Sequence, residues 1–301
     1  MSSDKYTLGV DIGGTNLRMG LVSCDGELFA FEKQKSETVA GDNAVLLLGN
    51  CIEDYISRHN VRDRVEAACI GFPATVNKAR TTVLNAPNIK GFDGVPVGMI
   101  LRERLGIPVY IEKDVNLLLI GDMLALATDA LNVVACYIGT GIGNAIMIDG
   151  NIITGANGVA GELGHIPFGD SKDICGCGNI GCAEAVAGGV YLAKLREQEF
   201  TGTEMDELFA VHGGHPQLTE YTERLARIIA AEVNIIDPEL LLLGGGVVEM
   251  KSFPKESFEA EIMSHVRRPL PYSNLKIVYS PTDDGTNGVI GAGLSAWRKI
   301  K

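Results

Sequence analysis

One arrangement occurs twice along this chain: a strand, a glycine-rich turn, a second strand, a hairpin signal and a third strand. In the first copy Tyr6–Asp11 runs into Gly13-Gly14-Thr15-Asn16, Leu17–Ser23 follows, and Asp25-Gly26 turns into Glu27–Lys33. In the second, Leu131–Ile138 runs into Gly139-Thr140-Gly141-Ile142-Gly143, Asn144–Ile148 follows, and Asp149-Gly150 leads to Asn151–Thr154. Asp-Gly between apolar runs is hairpin chemistry, because both central residues of the tight turn need positive φ. A duplicated three-stranded meander, each time followed by helices and further strands, predicts an α/β protein of two related lobes with a cleft between them.

The remaining elements complete each lobe. After the first meander come an amphipathic helix at Asp42–His59, with Val45, Leu48, Ile52, Tyr55 and Ile56 on one face, and a strand at Glu66–Gly71. A loop-rich stretch to Gly94, a helix at Val97–Leu105 and a strand at Val109–Glu112 follow, and a helix at Asp114–Ala130 connects the lobes. The second meander is followed by helices near Glu184–Glu199, Met205–Val211 and Pro216–Ile236, and by strand Leu240–Leu243 ending in Gly244-Gly245-Gly246. A helix at Lys255–Val266, a strand at Leu275–Tyr279 and a helix at Gly288–Arg298 close the chain. The expected domains are residues 1–113, with the C-terminal helix 288–301 packing back on them, and residues 114–287.

The turns carry chemistry as well as geometry. Main-chain N–H groups in such turns form anion-binding concavities, and glycine lets a phosphate approach closely. Three of them at strand ends, two at matching places of a repeat, point to a nucleotide. A dinucleotide fold requires G-x-G-x-x-G opening a helix; here the first two turns open strands.

A second cluster lies at His165–Glu184, H-I-P-F-G-D-S-K-D-I-C-G-C-G-N-I-G-C-A-E. His165, Cys175, Cys177 and Cys182 form a Cys3His set at ligand spacing, which suits a four-coordinate structural zinc ion. Just before it, Gly161-Glu162-Leu163-Gly164-His165 sets a carboxylate three residues from the imidazole, so that the metal loop also shapes a binding surface.

With 301 residues, 46% hydrophobic and 21% charged, the chain can bury a substantial core. Its formal charge of −12 argues against nucleic acid or an anionic membrane as a partner. Seven cysteines, an odd number, with Cys24, Cys51, Cys69 and Cys136 scattered in apolar contexts, imply a reducing compartment. Met1-Ser2-Ser3-Asp4-Lys5 lacks the features of a signal peptide and no apolar run reaches spanning length, so a cytoplasmic location is expected.

Taken with Ala86-Pro87-Asn88, Asp114-Val115-Asn116 and Leu243-Gly244-Gly245-Gly246-Val247, these motifs resemble the ROK family of sugar kinases, within the actin/hexokinase-like ATPase superfamily, over nearly the whole chain. The resemblance implies two actin-like (ribonuclease H-like) lobes and ATP-dependent phosphorylation of a hexose, usually at the 6-hydroxyl, with Mg2+. It implies that Asp114 is the base that takes the sugar proton, and that Asn88, Glu162, His165 and Glu184 contact sugar hydroxyls. Gly9, Val10, Asp11, Ile12, Gly13, Gly14, Thr15 and Asn16 then hold ATP, with Gly139, Thr140, Gly141, Ile142, Gly143, Asn144, Gly244, Gly245 and Gly246. Asp11 stands near Mg2+ through water. The family habit also implies a homodimer.

Two departures bear on the sugar. Lys113 replaces the Asn that usually precedes the catalytic Asp and contacts the sugar, and Phe72-Pro73-Ala74 replaces a Pro-Gly loop. With Arg267-Arg268-Pro269-Leu270-Pro271 and Gly246-Val247-Val248-Glu249-Met250, these features are most similar to family members acting on D-allose, with glucose, fructose or an N-acylmannosamine as alternatives. Regulators of the family carry a helix-turn-helix of about 70 residues before the first turn. Here that turn begins at Asp11, so a kinase is expected over a noncatalytic sugar sensor.

Overall fold

The computed structural model describes residues 5–169, 171–281 and 284–301. Met1–Asp4, read above for a leader, and Asp170 of the Cys/His loop lie outside them. Two compact units emerge: Met1–Thr128 with Thr154–Ala160 and Pro281–Lys301, and Asp129–Ile153 with Gly161–Ser280.

The first unit is built on β1 (Tyr6–Ile12), β2 (Asn16–Val22), β3 (Leu28–Lys35), α1 (Ala44–Arg58), β4 (Val65–Phe72), β5 (Thr75–Val76), β6 (Val83–Asn85), α2 (Val97–Leu105), β7 (Val109–Lys113), α3 (Asp114–Ala125) and the C-terminal helix Thr286–Ile300. Its sheet runs β3-β2-β1-β4-β7, antiparallel through the meander and parallel across β1, β4 and β7. α1 buries the five apolar residues of its expected face against this sheet. The stretch expected to be loop contains a small hairpin, β5–β6, whose strands are too short for periodicity to reveal.

The second unit comprises β8 (Val133–Ile138), β9 (Ile142–Ile148), β10 (Asn151–Ile152), α4 (Ala183–Ala187), α5 (Gly189–Glu199), α6 (Leu208–His212), α7 (Pro216–Ile236), β11 (Leu240–Gly244), α8 (Lys255–His265) and β12 (Lys276–Tyr279). Its sheet, β10-β9-β8-β11-β12, has the strand order and directions of the first. Each unit has its own apolar core. Among the described residues, no helix is long and apolar enough to cross a membrane.

Two boundaries differ from expectation for steric reasons. α3 stops at Ala125, and it belongs to the first unit rather than opening the second. Glycines bring it against the C-terminal helix: a Cβ on Gly121 would lie 2.1 Å from the Asn287 carbonyl oxygen, and one on Gly291 1.8 Å from that of Leu117. Buried Asp122 accepts from Asn287 Nδ2 at 2.8 Å across the same contact. The helix expected over Glu184–Glu199 breaks at Gly188, because Gly189 packs on the second glycine turn, where a Cβ would lie 2.1 Å from the Gly139 carbonyl oxygen.

Candidate active site

β1 and β2 pair up to the mouth of the first turn, where the Gly13 N–H donates to the Asn16 carbonyl at 2.8 Å. Ser36 ties the turn from the next strand's end: its Oγ donates to the Gly13 carbonyl at 2.5 Å and its N–H to that of Thr15 at 3.0 Å. Gly14 and Thr15 are exposed at the tip. A Cβ on Gly14 would meet nothing closer than the Cβ of exposed Asn88, at 4.0 Å. The fold therefore does not require glycine there, and the backbone at the tip is bare.

Asp11 is buried at the end of β1, directly across the ladder from Arg18. Its Oδ2 accepts from Arg18 Nη1 at 2.9 Å. Burial raises the Asp11 pKa, and the guanidinium works against that rise. A Cβ on Gly288 would lie 2.9 Å from Asp11 Cγ, so the first turn of the C-terminal helix also packs on this carboxylate, where its partial positive charge favours the anion.

Asp114 starts α3, with its Oδ1 accepting from the Val115 N–H at 2.8 Å. Gly71 separates it from Asp11: a Cβ there would stand 3.6 Å from both Asp11 Oδ1 and Asp114 Cα. Burial first, and then the neighbouring Asp11 charge, push the Asp114 carboxyl up to about 7. This is a proton acceptor set near neutrality. Lys113 beside it is buried, and its Nζ donates to the Ala160 carbonyl at 3.2 Å. Ala74 packs its methyl against the first core.

In the second unit the corresponding turn closes with the Gly139 N–H on the Gly141 carbonyl at 3.1 Å. The first amides of α5 hold it: Gly189 N–H donates to Gly139 O at 3.1 Å and Val190 N–H to Thr140 O at 2.8 Å. Glu184 of α4 lies over the turn, with Oε2 accepting from the Ile142 N–H at 3.0 Å. Gly141 makes room for it, since a Cβ there would fall 1.8 Å from that oxygen. Beside this turn a pocket of about 400 Å³ is lined by Gly139, Thr140, Val190, Gly246, Val247 and Met250, among others. Its apolar wall suits a flat aromatic ring rather than a phosphate. Gly245, at φ 92°, brings the third turn within reach, where a Cβ would lie 2.6 Å from the Ile138 carbonyl oxygen.

The Cys/His cluster assembles as expected from its spacing. The ligand atoms of His165, Cys175, Cys177 and Cys182 all lie within 4.8 Å of one another. Cys175 Sγ stands 3.5 Å from His165 Nδ1, and Cys177 Sγ 3.6 Å from Cys182 Sγ. Tetrahedral zinc at its usual bond lengths sets such atoms about 3.5–3.8 Å apart, so the donor set fits that ion. The other imidazole nitrogen, Nε2, faces Glu162 Oε2 at 3.8 Å.

Four expected nucleotide contacts have other work. A Cβ on Gly9 would fall 2.0 Å from the Val289 carbonyl oxygen, so this glycine serves the C-terminal helix. Val10 and Ile12 are wholly buried core residues. Asn144 is also buried, its Nδ2 donating to Ala135 O at 3.0 Å and to Glu232 Oε2 at 2.8 Å. Conversely, Arg18, Glu232 and Val190 carry no expectation from the sequence. A lone Arg in the apolar strand β2 and a Glu on the apolar face of α7 were the available signals for the first two. Val190 has none, since the pocket residues converge from separate segments.

Comparison with known proteins places these features in context. The profile described as "ROK family" matches residues 7–299. The chain is 28% identical to an N-acetylmannosamine kinase of Salmonella typhi, over 96% of this chain and 98% of that protein. Among solved structures it is similar to a ROK family glucokinase from Streptomyces griseus in complex with glucose and AMPPNP, at 26% identity, TM-score 0.79, and coverage of 97% of this chain and 99% of that one. It also shares the fold of a ROK family transcriptional regulator, a homolog of the E. coli MLC protein, at 24% identity and TM-score 0.82, over 97% of this chain and 78% of that one.

Proposed function

The chain belongs to the ROK family, and from that premise we propose that it is an ATP-dependent hexose kinase that phosphorylates the 6-hydroxyl of an aldohexose. The observation that carries the reading is the Asp11–Asp114 pair flanking Gly71, with Asp114 held at about 7. An alcohol attacking a γ-phosphate needs an oriented proton acceptor at the nucleophile. Asp114 receives the hydroxyl proton as the O6–P bond forms and the bond to the ADP oxygen breaks. Asn88, Glu162, His165 and Glu184 would supply donors and acceptors for ring hydroxyls. The pocket beside Gly139 and Gly246 takes the adenine ring, and the turns at Gly13-Gly14-Thr15 and Gly139-Thr140-Gly141 offer phosphates their N–H groups other than those of Gly13 and Gly139, which close the turns.

Asp11 has one oxygen committed to Arg18 and Oδ1 left for a hydrated Mg2+, which often keeps part of its water shell. When bound, that ion would neutralise charge on the phosphates. The Cys3His set would hold zinc as a structural ion, keeping the loop that carries His165 and Glu184 in shape. The homodimer expected from the family belongs to the same reading; light scattering on the purified protein checks it.

For the sugar we propose D-allose over glucose. Lys113 has three donors and no acceptor where the family has an amide, so the arrangement of ring hydroxyls it favours differs. The packing of Ala74 against the core leaves Lys113 as the main support. Lys113→Asn should weaken allose and improve glucose relative to each other. The kinase reading is tested by ADP release across a panel of hexoses that includes N-acetylmannosamine, the substrate of the Salmonella relative. Turnover with one hexose at kcat/KM at least ~10-fold above the rest supports it. Saturable sugar binding with no ADP release would make the protein a sensor instead.

A further inference from the structure

Behind Asp114 lies a group of charged residues of which only Lys113 has been given a part at the sugar. Arg80, in the tip of the β5–β6 hairpin, is only 6% exposed, and Glu112, at the end of β7, 7%. Arg80 Nη2 stands 3.0 Å from Glu112 Oε1 in an ion pair, and its Nη1 donates to the Gly158 carbonyl at 3.0 Å. Glu112 Oε1 also accepts from the Lys113 N–H and from Asn116 Nδ2, each at 2.9 Å. Lys113 Nζ reaches the Ala160 carbonyl. Two buried cations thus hold two carbonyls of one short segment.

That segment, Thr154–Ala160, belongs to the first unit although its sequence neighbours on both sides belong to the second. It is closed on itself by the Ala160 N–H donating to the Thr154 carbonyl at 3.1 Å. Gly158, at φ 88°, lies against the hairpin so closely that a Cβ would meet Lys78 N and Cα at 3.0 Å. No large apolar side chain anchors it, for its sequence is Thr-Gly-Ala-Asn-Gly-Val-Ala. Two cations hydrogen-bond its carbonyls, and the next residues along the chain are Gly161-Glu162-Leu163-Gly164-His165.

We propose that Arg80 and Lys113 are positioning residues that clamp Thr154–Ala160 to the strand end bearing Asp114, and so fix the start of the segment that carries Glu162 and His165. The inference rests on the sugar-kinase reading for its kinetic consequence, but not for the clamp itself. Arg80 supplies a fork that bridges a carboxylate and a carbonyl, which a lysine cannot reproduce.

The test uses the full-length protein with Arg80→Met, Arg80→Lys, Lys113→Met and Lys113→Arg. Arg80→Met and Lys113→Met should speed amide hydrogen exchange across residues 155–161 by ~10-fold or more, with exchange in β8 and β11 unchanged. They should raise KM for the sugar by ~10-fold while KM for ATP stays within about twofold. Arg80→Lys should not rescue, whereas Lys113→Arg, which restores a donor to Ala160, should. Because Arg80→Met leaves Glu112 without its cation and can fail to fold, Lys113→Met decides the matter in that event. Unchanged exchange at 155–161 in a folded Lys113→Met protein overturns the clamp. Faster exchange with both KM values moving together overturns its link to the sugar. If the unaltered protein phosphorylates no hexose, the kinase reading falls and the exchange data still decide the clamp.

Discussion

The two glycine turns sit at equivalent points of sheets with the same strand order, yet their surroundings have diverged. The first is surrounded by charge: Asp11 paired with Arg18, and Asp114 across Gly71. The second is bordered by an apolar pocket, and the Glu184 carboxylate beside it is held down on the Ile142 amide. A shared backbone therefore fixes where bare N–H groups are offered, while the side chains around each turn decide what is done there. On the proposed reading, the first turn moves a proton and manages phosphate charge, and the second holds a flat ring.

The largest effect should come from removing the acceptor at the first turn. Asp114→Asn keeps the size of the side chain but cannot take a proton, so turnover should fall by ~10²-fold or more. Stability should move the other way. The Asp114 pKa is raised in the folded protein, from 3.8 to about 7, so the folded state binds more protons and wild-type stability falls as pH rises across that window. The variant escapes this, and its Tm at pH 8 should exceed that of the wild type by a few degrees, with the advantage gone at pH 4. A loss of turnover accompanied by a lower Tm at pH 8 would mean that Asp114 is structural.

A matched pair of substitutions sharpens the contrast between the turns. Gly141→Ala places a methyl where Glu184 lies, so it should cost about 1–3 kcal/mol of stability by displacing that carboxylate. Gly14→Ala meets no protein atom closer than 4.0 Å and should leave Tm unchanged, but raise KM for ATP by ~10-fold if phosphate approaches the bare turn. Equal behaviour of the two would break the comparison. A smaller effect is expected at the pocket: Met250→Ala should weaken ATP by about threefold through lost apolar contact and leave the sugar untouched.

Local features were legible in the sequence and long-range ones were not. The repeat, the Cys3His spacing and the face of α1 all follow from short-range patterns, and each forms as read. Asn144 looked like part of the turn because its neighbours are; Glu232, which buries it, lies 88 residues away. Gly9 looked like the start of a phosphate loop, but the atom that excludes a side chain there is the carbonyl of Val289, contributed by the last helix. Arg18 falls on the strand between apolar Leu17 and Met19, and its pairing with Asp11 appears only once the ladder register is known.

The pH dependence of kcat/KM for the preferred hexose tests the central claim most directly. A base working in its deprotonated form makes activity rise with pH through its own pKa. The account predicts a rising limb centred near 7 in the wild type, set by Asp114, and its loss from the residual activity of Asp114→Asn. A profile with no such limb, or the same limb retained in Asp114→Asn, would contradict it.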